Sequence, residues 1–345
     1  MIDLFTPYEL KDLKLKNRVV LPPMCQYSVT AKDGIATDWH YNHYVSRAVG
    51  GTGLIIIEMT DVDPDGRITD YDLGIWSDEH IAGLARIVDA CHAYGAKVGI
   101  QIAHAGRKAE DAAVPVSSSP IPFDDKSKTP RELTTAEVKD MVNKFQAGVK
   151  RAVQAGFDVI ELHGAHGYLI HQFHSPLTNR RSDEYGQDLT LFGKEVITAA
   201  KREMPDGMPL IMRISAQEYV EGGYGIKESL HIGAAYKEAG ADIFHISAGG
   251  EGAIAAAGRP GTHAAYQVPL ARAFKQELNV PVIAVGRLDE AALANAVIGN
   301  EDADLVAVGR GMLRNPYWTL EAGVQLGKSA GVPKQYEFGF PRVNN

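Results

Sequence analysis

One phrase recurs along the chain: a helix end, a glycine and, within one or two residues, a run of apolar and β-branched side chains. It reads AYGAKVGI at residues 93–100, QAGFDVIEL at 154–162 and EAGADIFHI at 238–246, with GGTGLIII at 50–57 a looser version. Glycine at a helix C-terminus followed by a very short link is the joint that turns a helix into the next strand. The apolar runs are nearly continuous rather than alternating, as in parallel strands buried on both faces. The chain must therefore build a parallel sheet with helices packed outside it.

Eight such runs are found, at residues 18–22, 54–58, 97–104, 158–164, 210–215, 242–248, 282–286 and 304–309. Amphipathic stretches separate them, among them SDEHIAGLARIVDACHAYG and TTAEVKDMVNKFQAGVKRAVQAG. The first opens on a Ser-Asp-Glu cap. In the second, Thr135 is followed three residues later by Val138, an incomplete capping box. Eight strand–helix units predict an α/β fold, a single-domain (β/α)8 TIM barrel over residues 1–345. A doubly wound sheet usually announces itself with GxGxxG after the first strand, and LPPMCQYS contains no such turn. Residues 4–16 have the alternation of a small hairpin cap for the barrel's bottom. Two loops, 106–132 and the one after the sixth strand, are long enough to be lids at the rim.

A formal charge of −8 argues against general affinity for nucleic acid or an anionic membrane surface. No apolar run is long enough to span a bilayer, and the N-terminus has neither a basic nor an apolar leader region. Two cysteines, Cys25 and Cys91, make no disulfide framework and no cluster site. A reduced, cytoplasmic protein acting on a small molecule is expected.

In such a barrel the chemistry sits at the C-terminal ends of the strands, and the unusual residues collect there. Met24, Cys25 and Tyr27 follow the first strand, Met59 the second, and Gln101 and Lys108 lie at or after the third. His163, His166 and Tyr168 follow the fourth, and Arg213 is near the end of the fifth. Gly286 ends the seventh. Gly309, Arg310 and Gly311 follow the eighth, where this fold commonly binds phosphate. There Gly309 admits backbone N–H groups and Arg310 adds charge-assisted bonds, against the plainer reading of a turn glycine and a surface arginine.

The dense run HGAHGYLIHQFH admits a metal reading, with His163, His166 and Glu161 as ligands. The flanking Gly164 and Gly167 disfavour a helix presenting both histidines, and no cysteine completes the set. Proton and oxyanion chemistry fits better: two imidazole N–H groups gripping one oxygen, with a tyrosine beside them as acid. His171 and His174 read as structural histidines of a short helical turn. Cys91 is a core residue. Cys25 is balanced between an inert buried thiol and a functional contact.

PPMCQYS, QIAHAGRK, HGAHGYLIHQFHSPLTNRRSDEYG and GRGMLRNPYW, in that order over nearly the whole chain, resemble the old yellow enzyme family of FMN-dependent ene-reductases. The likeness is greatest to its bacterial, thermophilic-like branch. The resemblance implies non-covalent FMN as cofactor and NADPH or NADH as transient reductant, with hydride passing through the flavin to an activated C=C bond of an enone, maleimide or nitroalkene. Pro22, Pro23, Met24 and Cys25 would line the isoalloxazine, with Met59 beside it where small residues are commoner. Gln101 and Arg213 would bond the pyrimidine edge, and Gly309 and Arg310, with Ser247 and Gly286 nearby, the phosphate. His163 and His166 would hold the substrate's oxygen, with Tyr168 as proton donor, Tyr27 a substrate contact and Lys108 part of the wall. A homo-oligomer, dimer or tetramer, is also implied.

The chain departs from the family pattern in three places. YGQDLTLFG replaces the usual YGGSxENR, His174 stands where an apolar residue is usual, and Phe338 in QYEFGF takes the place of an arginine that can reach a neighbouring subunit's site. Arg342 is a substitute for that contact. Rival readings are a quinone or nitro reductase on the same scaffold and, more distantly, a metal-dependent hydrolase or lyase. The multidomain dienoyl-CoA reductases are disfavoured because the chain lacks their cluster cysteines and extra domains.

Overall fold

The computed structural model describes residues 2–252 and 263–340. Its centre is a ring of eight parallel strands: β1 (Val19–Leu21), β2 (Leu54–Asp61), β3 (Lys97–Ala103), β4 (Val159–Gly164), β5 (Leu210–Ser215), β6 (Ile243–Ser247), β7 (Val282–Val285) and β8 (Leu305–Ala307). β1 pairs with β2 on one side and β8 on the other, which closes the barrel. A two-residue strand, Leu73–Gly74, extends the sheet beyond the upper part of β2. The predicted (β/α)8 fold is the observed one, and all eight anticipated runs form strands.

β2 runs further than expected, to Asp61. A bulge explains this: the register moves from Ile57 opposite Ile100 to Met59 opposite Gln101. The extra residue bends the strand without ending its pairing. Eight main helices wrap the ring, α1 (Asp38–Val49), α2 (Ile81–His92), α3 (Thr135–Gln154), α4 (Leu191–Glu203), α5 (Ile226–Ala239), α6 (Val268–Leu278), α7 (Ala291–Gly299) and α8 (Trp318–Leu326). The capping expectation for α3 was one residue off. Thr134 is the cap, and it forms the full box, accepting from Glu137 N at 3.2 Å while its own N–H donates to Glu137 Oε2 at 2.8 Å.

The N-terminal hairpin forms as expected, Tyr8–Leu10 against Leu13–Leu15. Leu13 and Leu15 are buried and the intervening Lys14 is exposed. The two leucines pack on Val20, Leu54, Ile56, Val159, Ile211, Ile243, Ile283 and Leu305, the inward residues at the N-terminal end of the barrel. Burying each leucine stabilises the closure by about 1.5–3 kcal/mol. The bottom is thus sealed by apolar contact, and access is left to the C-terminal rim.

At that rim the loop beginning at Gly106 is tied to the loop after β6 by Arg107. Its guanidinium donates to the Glu251 backbone carbonyl and pairs with the Glu251 carboxylate, both residues being buried. Residues 253–262 of the second anticipated lid lie outside the described residues.

Candidate active site

After β4 the backbone makes a tight left-handed turn, with φ of +59° at His166 and +73° at Gly167. Only glycine fits the second position, because a Cβ there would lie 2.3 Å from the Gly250 carbonyl oxygen. His166 pays about 1 kcal/mol or more for its left-handed φ, and two hydrogen bonds hold it there. Its N–H donates to Ser215 Oγ at 3.0 Å, and the Gly167 N–H donates to His171 Nδ1 at 2.9 Å. The turn delivers Tyr168 as cap of the short helix Leu169–His174.

Three rings meet as a result. His163 and His166 stand edge to face with centroids 5.2 Å apart, and His163 and Tyr168 at 4.8 Å. The Ala165 N–H donates to His163 Nδ1 at 3.2 Å, so the ring proton of neutral His163 sits on Nε2. Burial, then the neighbouring His166 and Arg213, hold His163 well below the ordinary imidazole range; burial, then Arg213 and Lys108, do the same for His166. Both are neutral single donors near pH 7. Burial, reinforced by Cys25, Tyr27 and nearby carboxylates, pushes the Tyr168 phenol well above its usual value, so it keeps its proton. Lys108 Nζ lies 4.9 Å from the Tyr168 ring centroid and donates to the His166 carbonyl at 2.9 Å, with burial lowering its pKa to about 8.

Beside this cluster opens a cavity of about 220 Å³ lined by the ends of several strands. Pro22, Pro23 and Met24 form one wall, Arg213 and Ser247 another, and Gly286, Gly309 and Arg310 the outer end. Arg213 Nε is buried and has no hydrogen-bond partner. Ser247 joins the two regions, with its Oγ 2.6 Å from His166 Nε2.

Residues 3–328 match the NADH:flavin oxidoreductase / NADH oxidase family. The chain is 48% identical over 339 residues to an NADPH dehydrogenase of Listeria monocytogenes serotype 4a (strain HCC23), covering 97% of this chain and 98% of the relative. It is 47% identical over 340 residues to an NADPH dehydrogenase of Geobacillus thermodenitrificans (strain NG80-2), covering 98% of each. The chain belongs to this family, that of the old yellow enzymes. It is an oxidoreductase. Among solved structures, morphinone reductase in complex with tetrahydroNAD superposes with a TM-score of 0.80 at 26% identity, over 100% of this chain and 98% of that one.

In this old yellow enzyme relative, the anticipated residues fall into two groups. Those named above line the cavity or the ring cluster. Cys25 and Met59 instead pack beside Tyr168 in a small apolar patch with Ile68, Ala103 and Ala105. The Cys25 thiol is pushed well up by burial and by Glu58, Asp72 and Asp61, which leaves no thiolate nucleophile. Tyr27 is about half exposed, with a left-handed φ of +50°. Gln101 is buried below the mouth, where its Nε2 donates to Glu161 Oε1 at 2.7 Å. Glu161 therefore serves Gln101 and His245 rather than joining His163 and His166. Among the described residues, no three or more His, Cys, Asp or Glu side chains are placed to share a metal ion.

His171 and His174, expected to be structural, are both buried and hydrogen-bonded. His171 Nε2 meets Glu218 Oε1 at 3.1 Å, and His174 contacts the Tyr236 and Tyr224 hydroxyls at 2.8 and 3.3 Å. Those two tyrosines account for a histidine at an otherwise apolar position. Phe338 is fully exposed in the turn Lys334–Gly339, and Arg342 lies outside the described residues. No helix among the described residues is long and apolar enough to cross a membrane.

Two features escaped the sequence. One is the pair Glu161 and His245, bonded at 2.8 Å inside the barrel. The other is Asp61, fully buried at the end of β2 with neither carboxylate oxygen partnered. For the first the available signal was an ionisable residue inside a mostly apolar parallel strand, whereas Asp61 lies beyond the apolar run LIIIE.

Proposed function

We propose that this protein is an NADPH- or NADH-driven ene-reductase that holds FMN at the barrel mouth. The observation that carries the reading is the shared wall: Ser247 lines the cavity and touches His166, so the cavity and the ring cluster form one continuous site. The residues fit FMN. Arg310 and the backbone at Gly309 would hold the phosphate, Pro22, Pro23 and Met24 would flank the ring, and Gln101 and the unpartnered Arg213 Nε would meet its pyrimidine edge. FMN, when bound, supplies the hydride carrier between the nicotinamide and the second substrate.

The chain's own residues then supply binding and the proton. Neutral His163 donates from Nε2, and His166 exchanges Ser247 Oγ for the carbonyl or nitro oxygen of an enone, maleimide or nitroalkene. Donors fixed before the reaction stabilise the negative charge that develops on that oxygen. Tyr168 delivers its phenolic proton to the α-carbon, the β-carbon having taken the hydride, and the saturated product leaves. Because its pKa is raised, the phenol is charged with that proton at every working pH.

The test is purification followed by turnover. The protein should be yellow, release FMN on denaturation, and oxidise NADPH or NADH only when cyclohexenone, a maleimide or a nitroalkene is supplied anaerobically. A colourless preparation that takes up no FMN contradicts the reading. Turnover restricted to quinones or nitro groups would move it to the quinone or nitro reductase alternative. We also propose a homodimer or homotetramer, with exposed Phe338 engaging a second copy; light scattering with and without Phe338→Asp tests it.

A further inference from the structure

Directly above the apolar floor of the barrel lies a layer of three buried polar side chains from three strands: Gln101 of β3, Glu161 of β4 and His245 of β6. Glu161 is the hub. Its Oε1 accepts from Gln101 Nε2 at 2.7 Å, and its Oε2 lies 2.8 Å from His245 Nδ1. His245 stands opposite Arg213 in the β5–β6 register, and Arg213 is in turn opposite His163. The polar layer thus adjoins the cavity through Arg213, which lines it.

Stability does not account for it. Taking a carboxylate and an imidazole out of water inside a barrel costs more than apolar residues of similar volume would, and replacing such pairs by apolar residues is often neutral or stabilising. The pattern points to orientation instead. A carboxylate has only acceptors to offer, so it captures the NH2 end of the Gln101 amide and turns the carbonyl end away. No described residue bonds that carbonyl. Without Glu161 the two ends of the amide would be nearly interchangeable.

We infer that Glu161, braced by His245, is a positioning residue that fixes Gln101 with its carbonyl presented to the imide N–H at the pyrimidine edge of the flavin. The inference rests on the FMN reading above. Burial holds His245 below the ordinary imidazole range, so it is the neutral ring that bonds Glu161 through Nδ1–H. The layer then carries one negative charge close to Arg213, and that charge opposes electron uptake by a ring lying above it. Glu161 accordingly both selects the imide edge and sets the reduction potential low.

Apo-protein reconstituted with FMN and with 3-methyl-FMN, whose imide N–H is replaced by N-methyl, tests both roles. The parent should prefer FMN by about tenfold or more, the equivalent of one buried hydrogen bond left unmade. Glu161→Met, which removes the acceptor and the charge, should erase the preference and shift the midpoint potential of bound FMN to more positive values. Glu161→Gln keeps the shape and can meet Gln101 with either end of its amide. It should show a reduced preference and a positive shift even if the methionine variant fails to fold. A parent that binds FMN but accepts 3-methyl-FMN equally well overturns the orienting role. Variants with the parent's preference and potential overturn the inference while leaving the FMN reading intact. A parent that takes up no flavin overturns the FMN reading itself.

Discussion

At the N-terminal end of the barrel the inward side chains include Leu54, Val159, Ile211 and Ile243, closed by Leu13 and Leu15 of the hairpin. Two residues further along three of those same strands come Glu161, Arg213 and His245, and two further again on β4 and β6 come His163 and Ser247. The lower layer satisfies itself by apolar contact and needs no particular partner. In the upper layer every group needs one, and some bonds remain unmade: Arg213 Nε and His245 Nε2 are buried without partners. One barrel therefore has an end closed by its own side chains and an end where buried polar groups lack partners.

The largest effect expected from breaking this contrast is at the upper end. Tyr168→Phe keeps the ring and loses the proton, so reoxidation by cyclohexenone should slow by about 10²–10⁴-fold. Flavin reduction by NADPH should survive almost unchanged, and quinone turnover should be spared. Equal slowing of both half-reactions in stopped flow would mean that Tyr168 only shapes the pocket.

The converse experiment is at the lower end. Ile211→Ala leaves a cavity in the apolar floor and should cost about 2–5 kcal/mol of unfolding free energy, read from urea denaturation, with the half-reactions of the folded enzyme unaltered. A catalytic defect in that variant would mean the two ends are not independent. Smaller again is Arg310→Ala, which removes a charge-assisted phosphate contact worth about 1.5–3 kcal/mol. FMN should bind about ten- to a hundredfold more weakly, and unchanged retention in equilibrium dialysis would refute the phosphate assignment.

The subtlest effect concerns a buried acid at the rim. Asp72 is pushed up to about 7, chiefly by burial, and its Oδ1 has no partner. In the unfolded chain its carboxyl titrates near about 4. The folded state therefore holds this proton more tightly. The stability it contributes is complete below about pH 4 and is lost as pH rises through about 7. Asp72→Asn should flatten the fall of the urea midpoint between about pH 5 and pH 8, and an unchanged slope would assign that fall to other groups, Asp61 first among them.

The contrast also explains what could be read in advance. Apolar runs such as LIIIE and glycine joints such as QAGFD are local, so eight strands and their order were legible. That His163, His166, Tyr168, Arg213 and Arg310 gather at one rim was legible because each lies at or just past a strand end, and the fold alone brings those ends together. Glu161 and His245 were not. Their meaning lies in a pairing across 84 residues, and a run such as IFHIS does not reveal which strand supplies the partner. The bulge that carries β2 on to Asp61 was hidden for a similar reason, since it depends on register against β3. The Thr134 cap was missed by a single residue because TT offers two equivalent starts, and only the reach of Glu137 separates them.

Whether the histidine pair and the cavity act as one site is decided by titrating the FMN-loaded protein with p-hydroxybenzaldehyde while recording the visible spectrum. If His163 and His166 present their N–H groups to an oxyanion stacked over the flavin, a long-wavelength charge-transfer band should appear and saturate. It should be abolished in His163→Ala and His166→Ala variants that still carry FMN. A band that persists undiminished in both variants, or none with any phenol at saturation in the parent, would contradict the account.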